Sequence, residues 1–190
     1  MVDEALGALV SLAPGEVLRG REVVGEELAG LSWESAKVID CVFEECILTS
    51  CNLTMATLTD TRFVDCTFVG CKLLAVNWTA TGAGSMLAQP LRFERSRLDG
   101  TTFAGLDLTG FVFRDCQLTD VDFSECDLRR ADLGGSDVSG ARFADTDLSD
   151  ADLRGTRGLA LDPRANRLKG ARLDLDAAPG LLEVFGLTIS

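Results

Sequence analysis

The sequence has no histidine and no tyrosine, and only four prolines and two tryptophans among its 190 residues. Without histidine, the commonest general base near neutral pH and the usual nitrogen ligand of zinc are both missing. No apolar run approaches the ~20 residues of a membrane span, and Met1 to Leu12 lacks the basic start and apolar stretch of a signal peptide. A cytoplasmic protein without membrane contact is expected. Basic residues are scarce as well: 18 Lys plus Arg stand against 30 Asp plus Glu, a net charge of −12. That balance opposes direct binding to nucleic acid, which works through counterion release, and favours a basic partner or plain solubility. There is no Gly-rich phosphate loop and no evident catalytic constellation. Glu94 and Asp99, beside Arg92, Arg95 and Arg97, read as a solvated charged patch. The chain is therefore read as a non-enzyme with no cofactor and no metal.

What the sequence does have is a five-residue beat. Apolar centres recur at Val38, Phe43, Leu48, Leu53, Leu58, Phe63, Phe68, Leu73 and Trp78, and resume from Phe93 through Phe103, Phe113, Phe123, Leu133 and Phe143 to Leu153. Two places before most centres stands a small residue, as at Cys41, Ala56, Thr61, Ser96 and Ala151; the other places are mainly polar or Gly. On an α-helix a step of five rotates successive centres by about 140° and scatters them around the cylinder, so helix is excluded. On a straight strand successive centres would fall on opposite faces. The chain must turn a corner every five residues, and the intervening Asp, Ser, Thr and Gly suit such corners.

The spacing of the rings counts the corners per circuit. Phe43, Phe63, Phe103, Phe123 and Phe143 differ by multiples of 20, as do Phe93 and Phe113, so four pentads per coil would stack each set in one interior column. This predicts a square, all-β solenoid with about 20 residues per coil, and a rod of about 37 Å from Leu18 to Leu173 at the ~4.8 Å spacing of strands.

The seven cysteines, Cys41, Cys46, Cys51, Cys66, Cys71, Cys116 and Cys126, all fall in the small inward position. They are read as buried reduced thiols packing as small hydrophobes, because neighbours in the sequence lie on different faces and do not converge on a metal.

Runs such as Ala131-Asp132-Leu133-Gly134-Gly135 and Ala151-Asp152-Leu153-Arg154-Gly155 resemble the pentapeptide repeat proteins over about four fifths of the chain. The resemblance implies a right-handed quadrilateral β-helix. Within that family, one interrupting loop and a Leu-Leu-x-x-x-Gly-Leu-x-Ile tail look like the topoisomerase-targeting branch, which includes quinolone-resistance (Qnr) proteins and the immunity proteins for albicidin and microcin B17. Cys71 to Trp78, followed by the loop and Arg92-Phe93-Glu94, look most like the albicidin-immunity member. The branch implies an acidic homodimer that mimics DNA on DNA gyrase or topoisomerase IV and displaces topoisomerase poisons.

The segments follow from the beat. Residues 1–17 are read as an N-terminal cap, 18–78 and 93–175 as two β-helix sections, 79–92 as a protruding loop, and 176–190 as a capping and dimerisation segment with a short helix started by Asp176. Three partner-binding elements are expected. Glu45, Asp65, Glu125 and Asp145 in one 20-residue column, with Asp107, Asp127 and Asp147 two residues away, predict an acidic stripe; Asp40, Asp60 and Asp120 form a third column. Thr81, Gly82, Gly84, Ser85, Met86, Leu87 and Gln89 are the candidate loop contacts. Leu181, Leu182, Phe185, Leu187 and Ile189 form the candidate dimer surface. The competing reading is a structural or interaction rod without topoisomerase affinity, in which Asp serves the turns.

Overall fold

A computed structural model describes residues 12–81, 90–183 and 185. The chain winds as a β-solenoid with about 20 residues per coil, each coil presenting four short straight faces, called here A to D in chain order. Face A begins with β1 (Val17–Arg19) and β4 (Lys37–Ile39), paired in parallel. Face B carries β2 (Glu22–Val24), β5 (Val42–Glu44) and β7 (Arg62–Val64). Face C carries β3 (Glu27–Ala29), β6 (Ile47–Thr49), β8 (Thr67–Val69), β9 (Arg92–Glu94) and β10 (Val112–Arg114). Face D is built from isolated parallel bridges, in which Ser32, Asn52, Lys72, Arg97, Gln117, Asp137 and Arg157 follow one another.

Each face points its central residue inward, and the small residue two places earlier lies in the same interior. All the described centres from Leu18 to Leu153 are buried, and so are all seven cysteine side chains. The thiols donate to carbonyls within and between coils, as Cys66 Sγ does to Phe43 O at 3.3 Å and Val64 O at 3.4 Å. Burial pushes Cys116 and Cys126 up to about 12, which keeps them protonated. Among the described residues no group of His, Cys, Asp or Glu is arranged to hold a metal ion.

The corners follow from the sequence. The residue two places after most centres is left-handed: among the described residues 15 non-glycine residues there have φ between +48° and +60°, including Asp40, Glu45, Asp65, Glu125 and Asp145. Short Asp and Gly tolerate this region. At many faces the residue before the centre fixes the turn with its side chain: Asp107 accepts from Thr109 N at 2.9 Å, Asp122 from Ser124 N at 3.0 Å and Asp147 from Ser149 N at 3.0 Å.

The interruption changes the register. Phe68 pairs with Phe93, and Asn77 bridges Thr102, an offset of 25 where the coils on either side keep 20. The coil that contains the interruption is one pentad longer than its neighbours. The predicted ring column is therefore corrected. Phe43 and Phe63 stack on face B at 5.0 Å, whereas Trp78, Phe103, Phe123 and Phe143 stack on face A at 5.7, 5.5 and 5.5 Å. Phe68, Phe93 and Phe113 form a third column on face C, at 4.9 and 5.2 Å. A gap of 15 preserved the five-residue phase and concealed which face the chain resumed on.

The C-terminal element is a turn of 3-10 helix, Leu175–Ala177, followed by α1 (Ala178–Glu183). Asp176 lies inside the 3-10 turn and does not act as its cap. Asp174 precedes that turn and takes Gly155 N as its hydrogen-bond donor. No helix among the described residues is long and apolar enough to cross a membrane.

Candidate functional site

With the register in hand, each predicted acidic residue can be placed. The corner between faces A and B carries Asp40, Asp60, Ala80, Gly105, Glu125 and Asp145 in successive coils, as bonds such as Asp60 N to Ala80 O and Gly105 N to Ser124 O follow that column. Asp107, Asp127 and Asp147 lie beside its upper part on face B and are linked by successive bridges. Glu45 and Asp65 do not join them. They sit one corner further on, between faces B and C, because the offset of 25 moves every later residue back by one face. The third predicted column also divides: Asp40 and Asp60 join the A–B corner, and Asp120 lies between D and A. The acidic stripe is thus Asp40, Asp60, Glu125 and Asp145 with Asp107, Asp127 and Asp147, interrupted at Ala80 and Gly105.

The charges in this stripe are not equivalent. Asp127 is clasped by Arg129, whose Nε lies 2.8 Å from both carboxylate oxygens and whose backbone N–H donates to Oδ1. That guanidinium holds the Asp127 carboxyl below its usual value. Arg167 approaches Asp147 at 3.5 Å from the next coil. The Asp-x-Arg clasp recurs at Asp152 with Arg154 and at Asp162 with Arg164, both with backbone and guanidinium contacts to one carboxylate. Arg154 lowers Asp152 to about 2. Among the described residues, Asp40, Asp60, Asp107, Glu125 and Asp145 stand outside the pairs that Arg129 and Arg167 make with Asp127 and Asp147. Sequence reasoning missed the clasps, although Arg two residues after Asp was their visible signal.

The predicted loop and tail are placed in part. Thr81 is buried, and its hydroxyl donates to Trp78 O at the end of a 3-10 turn, Trp78–Ala80, so it is part of the rod and not of a protruding contact. Gly82, Gly84, Ser85, Met86, Leu87 and Gln89 lie outside the described residues. Leu91 is buried and Arg92 already belongs to β9, so the rod resumes before the predicted boundary at 93. In the tail, Leu181 and Leu182 are half-buried, with Leu181 packed on the core, while Phe185 is 53% exposed and Leu175 is 87% exposed. Leu187 and Ile189 lie outside the described residues.

Comparison with known proteins agrees with this architecture. Residues 34–74 match the family described as pentapeptide repeats (8 copies), and residues 84–153 match the pentapeptide repeat region. No curated protein matches the chain. A trypsin-treated variant of QnrB1, described as a plasmid-mediated fluoroquinolone resistance protein, superposes with a TM-score of 0.52 at 19% identity, covering 93% of this chain and 98% of that one. HetL of Nostoc sp. strain PCC 7120, a pentapeptide repeat protein involved in heterocyst differentiation regulation, aligns at 19% identity with a TM-score of 0.42, over 92% of this chain and 93% of that one. At these identities the likeness is one of fold. The five-residue beat, the four-sided coil and the two matching stretches together mean that the chain belongs to the pentapeptide repeat proteins.

Proposed function

We propose that the protein is a non-enzymatic DNA mimic that binds a bacterial type II topoisomerase, DNA gyrase in the first instance, and protects it from poisons of the albicidin or quinolone kind. The observation that carries this reading is the stripe at the A–B corner. Asp40 and Asp60 lie below the interruption, and Glu125 and Asp145 lie three and four coil steps above Asp60, about 14 and 19 Å at strand spacing; Asp107 stands on face B one step below Glu125. Neighbouring carboxylates at ~5 Å repel by roughly 1 kcal/mol in water, so stability does not favour the arrangement, whereas a basic DNA-binding channel would. Fluoroquinolone resistance belongs to QnrB1 by its description, and protection of a topoisomerase enters here as part of the proposal. Dimerisation through the C-terminal end, where Leu175 and Phe185 are exposed, would lengthen the mimic into two arms.

A second reading has an observation of its own. Asp side chains that bond the backbone two residues on, and the three Asp-x-Arg clasps, serve the coil itself, as expected of a structural rod. The two readings separate on Asp40→Asn, Asp60→Asn, Glu125→Gln and Asp145→Asn combined. Affinity for purified gyrase, supercoiling in the presence of a poison, and the melting temperature are measured together. Lost affinity and lost protection with an intact melt support mimicry; unchanged affinity refutes it for this stripe. Replacing residues 82–89 by a short Gly-Ser link then tests whether protection needs that segment when binding is retained.

A further inference from the structure

The first three coils carry a second surface, which the stripe does not use. At the B–C edge, β2, β5 and β7 pair so that Val24, Glu44 and Val64 are neighbours across the strands, and β3, β6 and β8 pair so that Glu27, Ile47 and Thr67 are neighbours around the corner. These are outward positions. Val24 is 51% exposed and Ile47 is 41% exposed, and Val64 is half-buried beside them. β-Branched side chains suit strands, but threonine meets that preference while staying polar, as Thr49 and Thr67 do in the same sheet. The outward valines and isoleucine need another reason.

Carboxylates surround the apolar side chains. Glu44 stands between Val24 and Val64, Glu27 is beside Ile47, and Glu45 and Asp65 occupy the corner between the two sheets. None of these four enters the ion pairs that neutralise carboxylates from Glu94 onward. Of the bases in these coils, Arg19 and Lys37 lie on face A, Arg21 and Arg62 at the start of face B, and Lys72 on face D.

We infer that this edge docks a cationic amphipathic segment of a protein partner, an apolar stripe seated on Val24, Ile47 and Val64 with Lys or Arg reaching Glu27, Glu44 and Glu45. Charge complementarity selects a basic occupant, and the exposed aliphatic groups select one with an apolar face. The three strands span about 10 Å at sheet spacing, which matches two turns of a helix at ~5.4 Å each. The surface is independent of topoisomerase binding.

The test uses the full chain and two fluorescent probes of equal charge: a Leu/Lys amphipathic helical peptide, and a Lys/Gly peptide with no apolar face. Anisotropy should show the amphipathic probe binding about tenfold more tightly. Val24→Thr with Ile47→Thr should abolish that preference, and Glu44→Gln with Glu45→Gln should weaken both probes about tenfold. Asp115→Asn with Asp120→Asn, which removes the same charge from other corners, should leave the preference and the affinities within about twofold. Equal weakening by the Asp115 and Asp120 pair would reduce the effect to net charge and overturn the inference. So would an amphipathic preference that survives Val24→Thr with Ile47→Thr, or equal binding of the two probes by the parent.

Discussion

The offset of 25 residues across the interruption makes Trp78 and Phe103 direct neighbours, with ring centroids 5.7 Å apart and planes 12° from parallel. Both rings are fully buried. Changing either to Leu removes part of a ring and leaves a cavity, so each single variant should lose about 2–4 kcal/mol. The stacking between them adds a pairwise contribution of about 0.5–1.5 kcal/mol beyond area burial. The double variant Trp78→Leu with Phe103→Leu should therefore be less destabilised than the sum of the singles by that amount. Phe68→Leu with Phe93→Leu, whose rings lie 4.9 Å apart at 13°, should show the same coupling. Urea unfolding followed by circular dichroism gives the four free energies of each cycle. A coil that kept the 20-residue register through the interruption would place Leu73 beneath Phe93 and residue 83 beneath Phe103. Additivity within about 0.3–0.5 kcal/mol in both cycles would refute the offset and everything placed by it, including the division of the acidic residues between two corners.

Three other outcomes are expected. Met55 is left-handed at φ +56° and 60% exposed, so Met55→Gly should raise stability by about 0.5–1 kcal/mol, read as a higher urea midpoint. Asp152 is lowered from 3.8 to about 2 by Arg154, so its ionised form stabilises the fold above the unfolded value, and that contribution disappears as pH falls from about 4 to 2; Asp152→Asn should be less stable at neutral pH and show a shallower loss across that window in acid titration. Phe185→Asp puts charge on an exposed apolar site at the C-terminal end, and light scattering should report monomers for the variant and dimers for the parent; a dimeric variant would place the interface elsewhere.

The fold was legible because the inward residues report it directly. Phe63, Phe68 and Leu73 are five apart, and no helix or flat strand can bury all three on one side. The count of four faces was legible from pairs such as Phe93 and Phe113, which do stack. What could not be read was the face on which the chain re-enters after Thr81. A period of five is blind to any whole number of pentads, and hydrophobic phase looks the same whether a pentad is wound into the coil or left out of it. That blindness moved Glu45 and Asp65 onto the wrong corner. The turn role of Asp107 and Asp147 was legible from residue type, whereas the Arg129 clasp depends on a guanidinium folding back along its own strand. The B–C edge was overlooked because Val24, Ile47 and Val64 are apolar residues on the outward phase, where the beat of inward centres draws no attention.

One extra pentad in a single coil gives the rod the properties of an indexed shaft. Five residues is a quarter turn, so a chain that kept the 20-residue register there would have every later surface rotated by 90° relative to the first three coils. The angle between the B–C edge below and the Glu125 and Asp145 corner above is therefore set in discrete steps, by an integer count of pentads at a single place in the chain.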